Sequence, residues 1–558
     1  MTMKSLKPII SYGIFLLLLS GCSWFTGSES TSIYDDANRL DSSGIELPMG
    51  MNIPDISASN LCYVFSDVMT TASSFKTYAG SEWESGYTDE IEVDDDGYPT
   101  YLPQSTSDGN ESMVRFMIND NYPAGNYRIF YDGTGTLSGY AESDDEGYYV
   151  TLTGNGNNIW INMEYSDASD PITNMHIIHE DFAVTNNDEY EALVEAGGYD
   201  TFHYLFLEGL EDFHCLRFMD LTGTNDSEVS EWEDRRSSTY YTQAGETAWE
   251  YIIDLCNELQ CDAWICVPHA ASNDYISTLA QLFYDDLDSN LKVYVEYSNE
   301  VWNWQFDQAS WLTNNGSDDI PVADDEVLAE LEEIGDAGYY QYRKMGYMMA
   351  RTIGLWEDVF GTESERIVRI VSGQLGYDAL NSTVLDWAMN EYSTNVDALT
   401  CSGYFYFSTT QHEEWVELSE NNELSYAQMY EDVMENSEDD GSFDWARSAA
   451  AIATDYGVDY ICYEGGQHMQ SYSQLEWDYS QMLYDFQVTN YMYNLYVNNF
   501  SVQTEEEVDC QLFMAYNYAS ERESQYGSWG HLESLDQIEE GYSDAPKYEA
   551  LLDMNTAQ

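Results

Sequence analysis

The chain of 558 residues is 43% hydrophobic and 15% aromatic, enough apolar material to bury a large core, which excludes a disordered chain. It carries 18 Lys and Arg against 102 Asp and Glu, a formal net charge of -84 at pH 7. That charge repels phosphate backbones and so excludes nucleic acid as a partner; it disfavours sulfated and uronic-acid polymers for the same reason, suits a neutral substrate, and keeps a surface solvated at high salt.

Residues 1–22 read as a signal peptide, with Lys4 and Lys7 before the apolar stretch Ile9 to Leu19. The segment is too short to span a bilayer. Its end, Leu19-Ser20-Gly21-Cys22, resembles the bacterial lipobox, which implies that Cys22 becomes the lipidated first residue of an exported protein. The expected partner is then a membrane, reached through the lipid anchor of an envelope protein. Ser23 after that cysteine resembles the outer-membrane sorting pattern, and residues 23–44 read as a tether.

Leu47 to Ile53 is a first candidate strand, followed by a helix-like stretch through Tyr63, Phe65, Val68 and Met69; together they make residues 45–83 a first βα unit. Residues 84–180 change character. Alternating runs such as Tyr127 to Tyr131, followed by Asp132-Gly133, and Asn158 to Met163 predict an inserted β-sandwich that either binds carbohydrate or braces its neighbour. Glu92, Asp94, Asp96 and Gly97 match the start of a calcium loop, but Pro103 at its twelfth position has no ligating side chain, so this stretch reads as a hairpin turn.

Residues 181–558 alternate short apolar runs with longer helical patterns. The runs are Cys215 to Leu221, Ala263 to Pro268, Lys292 to Tyr297, Ile367 to Ser372, Ala398 to Ser402, Asp459 to Tyr463 and Gln511 to Tyr516. With the first strand they total eight, and eight βα units predict an α/β fold, the (β/α)8 TIM barrel, with the β-sandwich inserted between the first and second units. Beyond Cys22 there are eight cysteines, of which Cys256 and Cys261 are the expected disulfide pair; no Cys/His spacing suggests a metal site.

Active sites of parallel barrels gather at the C-terminal ends of the strands. The fourth strand ends in Glu296-Tyr297-Ser298-Asn299-Glu300-Val301-Trp302-Asn303 and the seventh in Tyr463-Glu464-Gly465-Gly466-Gln467-His468. Each thus sets a glutamate at a strand end, and two carboxyl groups are what glycoside hydrolysis requires. An Asn-Glu pair after strand four and a Glu after strand seven resemble the clan A glycoside hydrolases, over roughly residues 200 to 530. The same phrases resemble bacterial lipoproteins labelled cellulose-binding or glycosidase-like.

The resemblance implies a retaining enzyme that needs no cofactor and acts on an extracytoplasmic β-linked carbohydrate. It implies Glu300 as acid/base, Glu464 as nucleophile and Asn299 as the residue that hydrogen-bonds the sugar 2-hydroxyl. It further implies Arg217 as the group holding the nucleophile, and site roles for His269, Tyr404 and Tyr406. Trp302, Trp304 and Trp529 are candidates to stack on sugar rings. The residues alone leave two alternatives open, a non-catalytic lipid-anchored carbohydrate-binding protein and a purely structural envelope protein.

Overall fold

The computed structural model describes residues 37–556 apart from 58–60, 79–90, 104–112, 315–336, 439 and 543. The signal segment 1–22 with Cys22, and residues 23–36 of the tether, lie outside the described residues. Residues 37–44, expected as the end of that tether, instead dock on the helix Asn490–Gln503. Asn490 and Asn494 donate to the carbonyls of Ala37 and Asn38, each at 3.0 Å, and the Leu40 N–H donates to Asn494 Oδ1 at 2.7 Å.

After β1 (Met49–Asn52), eight strands form the insert: β2 (Lys76–Tyr78), β3 (Met113–Asn119), β4 (Gly125–Asp132), β5 (Gly135–Gly139), β6 (Glu142–Asp144), β7 (Gly147–Leu152), β8 (Asn158–Ser166) and β9 (Thr173–His179). The chain then supplies β10 (Cys215–Arg217), β11 (Asp262–Val267), β12 (Val293–Tyr297), β13 (Ile367–Ser372), β14 (Ala398–Phe405), β15 (Asp459–Gln467) and β16 (Phe513–Ala515). Strands β1 and β10 to β16 pair in parallel and in chain order, and β16 closes back on β1. The expected closed eight-stranded α/β barrel is therefore present, with helices between most of its strands.

The insert is two antiparallel four-stranded sheets, β2-β3-β8-β5 and β6-β7-β4-β9. Alternation sends Val114, Phe116, Ile118, Ile159 and Ile161 of one sheet and Tyr127, Ile129, Val150 and Ile177 of the other into a continuous apolar core. It starts at Lys76, earlier than the sequence suggests. The helix expected around Tyr63 to Met69 is reduced to one 3-10 turn, Val68–Thr71. Asp67 caps that turn and reaches the insert, accepting from the Ile177 N–H at 2.9 Å, so tertiary hydrogen bonds replace helical ones. The Asp94 to Tyr98 segment is a hairpin turn: Asp94 Oδ1 accepts from the N–H groups of Asp96 and Tyr98, and Gly97 takes φ 84°.

All eight described cysteines are buried free thiols. Cys256 lies in the last turn of the helix Trp249–Leu259, the chain reverses through Gln260 at φ 56°, and the Cys261 N–H returns to the Cys256 carbonyl at 3.2 Å. A helix-end hydrogen bond joins these two residues in place of the expected disulfide.

Strands β14 and β15 run farther than their apolar segments. Both carry a register shift, between Cys401 and Gly403 and between Cys462 and Gly465. Glycine is required there: a Cβ on Gly465 would lie 2.4 Å from the Phe513 ring, and Gly466 takes φ 123° with Tyr496 Oη 2.5 Å from where its Cβ would be. A bulge of this kind bends the strand and re-aims its side chains at the barrel mouth.

Candidate active site

The barrel interior beneath the mouth holds one fully buried cation. Arg217, on β10, is 0% exposed. Its Nε and Nη2 donate to Glu296 Oε2 at 3.1 and 3.0 Å, its Nη2 to Asn299 Oδ1 at 2.9 Å, and its Nη1 to Asn52 Oδ1 at 3.1 Å and Glu464 Oε2 at 3.4 Å. Three other barrel strands or their ends thus converge on one guanidinium.

Glu296 is the counter-charge, on β12 and 1% exposed. Besides Arg217 it accepts from Trp264 Nε1 at 2.8 Å and Ser372 Oγ at 2.7 Å, so both oxygens are satisfied. Burying an ion pair costs several kcal/mol per ion, and it persists where extra hydrogen bonds complete the coordination, as they do here. The sequence alone assigns Glu296 no role. The available signal was a charged residue within Val293-Tyr294-Val295-Glu296-Tyr297, where the strand is otherwise apolar or aromatic.

After β12 the backbone enters the left-handed region at Ser298, φ 55°, and again at Glu300, φ 41°. Neither residue is glycine, so the turn stores strain of about 1–3 kcal/mol per residue. It directs Asn299 down toward Arg217 and Glu300 into the mouth. Asn299 is fixed further by donating to Asn225 Oδ1 at 3.1 Å, and Gln308 Nε2 ties Asn225 Oδ1 to the Asn299 carbonyl at 2.7 and 2.9 Å. Glu300 accepts from Tyr463 Oη at 2.6 Å on one oxygen and from Asn303 Nδ2 at 2.8 Å on the other.

Glu464 lies on β15, buried beside Arg217, and the Tyr404 hydroxyl hydrogen-bonds it. Burial and then the negative charge of Glu300 push its carboxyl up, while Arg217 and Tyr404 pull it down.

Both line one cleft of about 830 Å3, together with Asn299, Trp302, Trp304, Tyr404, Tyr406 and Trp529. Trp529 packs edge-on against Tyr404 at 5.8 Å and Tyr516 at 5.7 Å, which fixes its ring. Arg217 sits behind the cleft and not on its surface. His269 is not part of the cleft: it is buried with its ring edge-on to Trp311 at 5.2 Å, and its carbonyl accepts from Tyr297 Oη. At the end of β11 it packs against Trp311, outside the cleft lining. Asn225, Asn303, Tyr463, Tyr516 and Trp445 also line the cleft and were not anticipated. Among the described residues, no group of three or more His, Cys, Asp and Glu is placed to hold a metal ion.

No family model matches the sequence, and no curated protein does. Among solved structures, the chain is similar to an arabinofuranosidase from Xanthomonas axonopodis pv. citri, at 12% identity and TM-score 0.31 over 57% of this chain and 60% of that one. It is similar to a family 51 alpha-L-arabinofuranosidase from Bifidobacterium longum, at 11% identity and TM-score 0.33 over 62% and 66%. It is also similar to a double mutant of the beta-glucosidase from Trichoderma harzianum, at 10% identity and TM-score 0.33 over 66% and 89%. The chain spans less than two thirds of the length of either arabinofuranosidase. These likenesses are distant, and the barrel is established by its own strand pairing.

Proposed function

We propose that this protein is a retaining glycoside hydrolase acting on a neutral, β-linked poly- or oligosaccharide outside the cytoplasm. The observation that carries the reading is the pairing of Glu300 and Glu464 across one cleft, each with its own fixed donors. Glu464 faces Arg217 and Tyr404; Glu300 faces Tyr463 and Asn303.

In this reading Glu464 attacks the anomeric carbon as the glycosidic C–O bond breaks, and Glu300 delivers its proton to the departing oxygen. Water then attacks the glycosyl ester, giving a proton to Glu300, and Glu464 leaves as a carboxylate. Burial is the main effect that lifts Glu464; a proton on Glu300 removes the repulsion that adds to it, and Arg217 and Tyr404 beside Glu464 favour its ionised form against that burial. Asn299, held by Arg217 and Asn225, is positioned for a hydroxyl next to the reacting carbon.

The test is the anomer released first from a neutral β-glycan, followed by NMR. Retained configuration is expected, with a loss of about 10^4-fold or more in kcat for Glu464→Gln. An inverted product, or a fully active Glu464→Gln, overturns the assignment. Lipidation at Cys22 belongs to the same proposal: fatty-acid labelling should be lost in Cys22→Ala, and labelling that survives removes the anchor.

A further inference from the structure

A second cavity of about 380 Å3 opens beside the main cleft, and Tyr406, His468, Gln470 and Gln474 line both. Sites for small organic molecules occupy roughly 300–1,000 Å3, so the side cavity has room for a ligand of its own. It lies under the loop that follows β15, and three features show that this loop is held in place.

The first is Tyr472. One face of its ring stacks on His412, with centroids 4.5 Å apart and planes 22° apart, yet the residue is 41% exposed. His412 is itself buried and bonded through Nδ1 to Tyr479 Oη at 2.8 Å. The second is the backbone, because Trp477 Nε1 donates to the Tyr472 carbonyl at 3.0 Å and Ser471 Oγ meets Ser480 Oγ at 3.0 Å. The third is conformation: consecutive non-glycine residues Ser473 and Gln474 take φ 58° and 55°. Such strain persists only where surrounding contacts over-determine it.

The chemistry of the lining is also selective. None of the described residues that line the side cavity is Asp, Glu, Lys or Arg, in a chain with 102 acidic residues. Burial pushes the His468 imidazole down to about 4, so it is uncharged at neutral pH. What remains is an aromatic platform, the amides of Gln470 and Gln474, and hydroxyls, a set that suits the apolar face and hydroxyl rim of an uncharged sugar.

We infer that the side cavity is a distal subsite that holds a neutral sugar unit remote from the bond cleaved in the main cleft, with Tyr472 as its stacking platform. This rests on the glycosidase reading and extends it. The protein then prefers long neutral chains.

The experiment uses the full-length protein with a ladder of neutral β-linked gluco-, manno- and xylo-oligosaccharides from disaccharide to hexasaccharide, beside aryl monoglycosides. The expected result is a kcat/KM that climbs with length, steepest at the unit that first reaches the side cavity. Tyr472→Ala should then lower kcat/KM for the hexasaccharide about tenfold more than for the monoglycosides, through KM, and Tyr472→Phe should restore it. Equal losses on short and long substrates, or no dependence on length, overturn the subsite. Binding of the same ladder to Glu464→Gln separates the two proposals. Length- and Tyr472-dependent binding without turnover by the wild type leaves the subsite standing and removes the enzyme; turnover without that dependence does the reverse. A ladder neither bound nor cleaved overturns both.

Discussion

Tyr463, the residue immediately before one candidate carboxylate, donates its hydroxyl to the other, Glu300, at 2.6 Å. Consecutive residues of a regular strand point to opposite faces, but the register shift between Cys462 and Gly465 lets Tyr463 and Glu464 address the same cleft. If Glu300 is the proton donor, Tyr463 positions it. Tyr463→Phe should lower kcat about tenfold, the cost of one hydrogen bond to a charged group, with KM little changed. The loss should grow as the leaving group of an aryl glycoside series becomes more basic, because only those substrates depend on the acid. A loss uniform across the series counts against a positioning role.

Arg217 gives a second prediction, on stability as well as rate. Removing its charge strands Glu296, which is 1% exposed and would keep only Trp264, Ser372 and Cys266 as partners. Arg217→Met should destabilise the fold by about 3–5 kcal/mol in chemical denaturation, the range for a broken buried ion pair. The double variant Arg217→Met, Glu296→Met should recover most of that stability and none of the activity, since Glu464 and Asn299 still lack the guanidinium. Recovered activity would show that Arg217 serves the core alone.

The barrel was legible because strands buried on both faces read as apolar runs, and eight of them fall in chain order. The ends of those runs were less legible. In β15 the strand continues through Glu464, Gly465 and Gly466, where the glycines answer to Phe513 and Tyr496, residues distant in sequence. His269 is a different case: a histidine at a strand end resembles a site residue, yet its ring lies against Trp311, from the helix Asp307–Asn314 beyond the next strand. Asn225 lies in a loop with no local sign that it supports Asn299. Glu296 did carry a sign, as a charge embedded in an apolar and aromatic strand, but its partners come from three other strands.

The net charge of -84 predicts a dependence on salt. Self-repulsion falls as the screening length shortens from about 10 Å at 0.1 M to about 3 Å at 1 M, so the melting temperature should rise over that range. In the cleft, the charged residues among those described are Glu300 and Glu464, both acidic. Neutral glycans should therefore be cleaved at nearly constant kcat/KM as salt changes, while carboxymethylated versions of the same glycans should be poor substrates that improve with salt. A carboxymethylated glycan preferred at low salt would contradict this picture of the cleft.

Lys547 offers a prediction of stability against pH. It is 5% exposed, its Nζ donates to the Ser528 carbonyl at 2.7 Å, and burial pushes its ammonium down to about 7 from 10.5. Between those values the unfolded chain binds a proton that the folded chain releases, so stability rises with pH across this window; below pH 7 both states are protonated and the cost of burying the charge is present in full. Lys547→Met should therefore stabilise the protein at pH 6 by about 2–4 kcal/mol, and the gain should shrink steadily toward pH 10. The Ser528 carbonyl is not orphaned by this change, because Gln467 Nε2 also donates to it at 2.7 Å. Denaturation of the two proteins in parallel across pH 6 to 10 provides the check. A difference independent of pH would mean that Lys547 is charged in both states throughout, and that its burial is compensated by Glu533, the neighbouring carboxylate that raises its pKa.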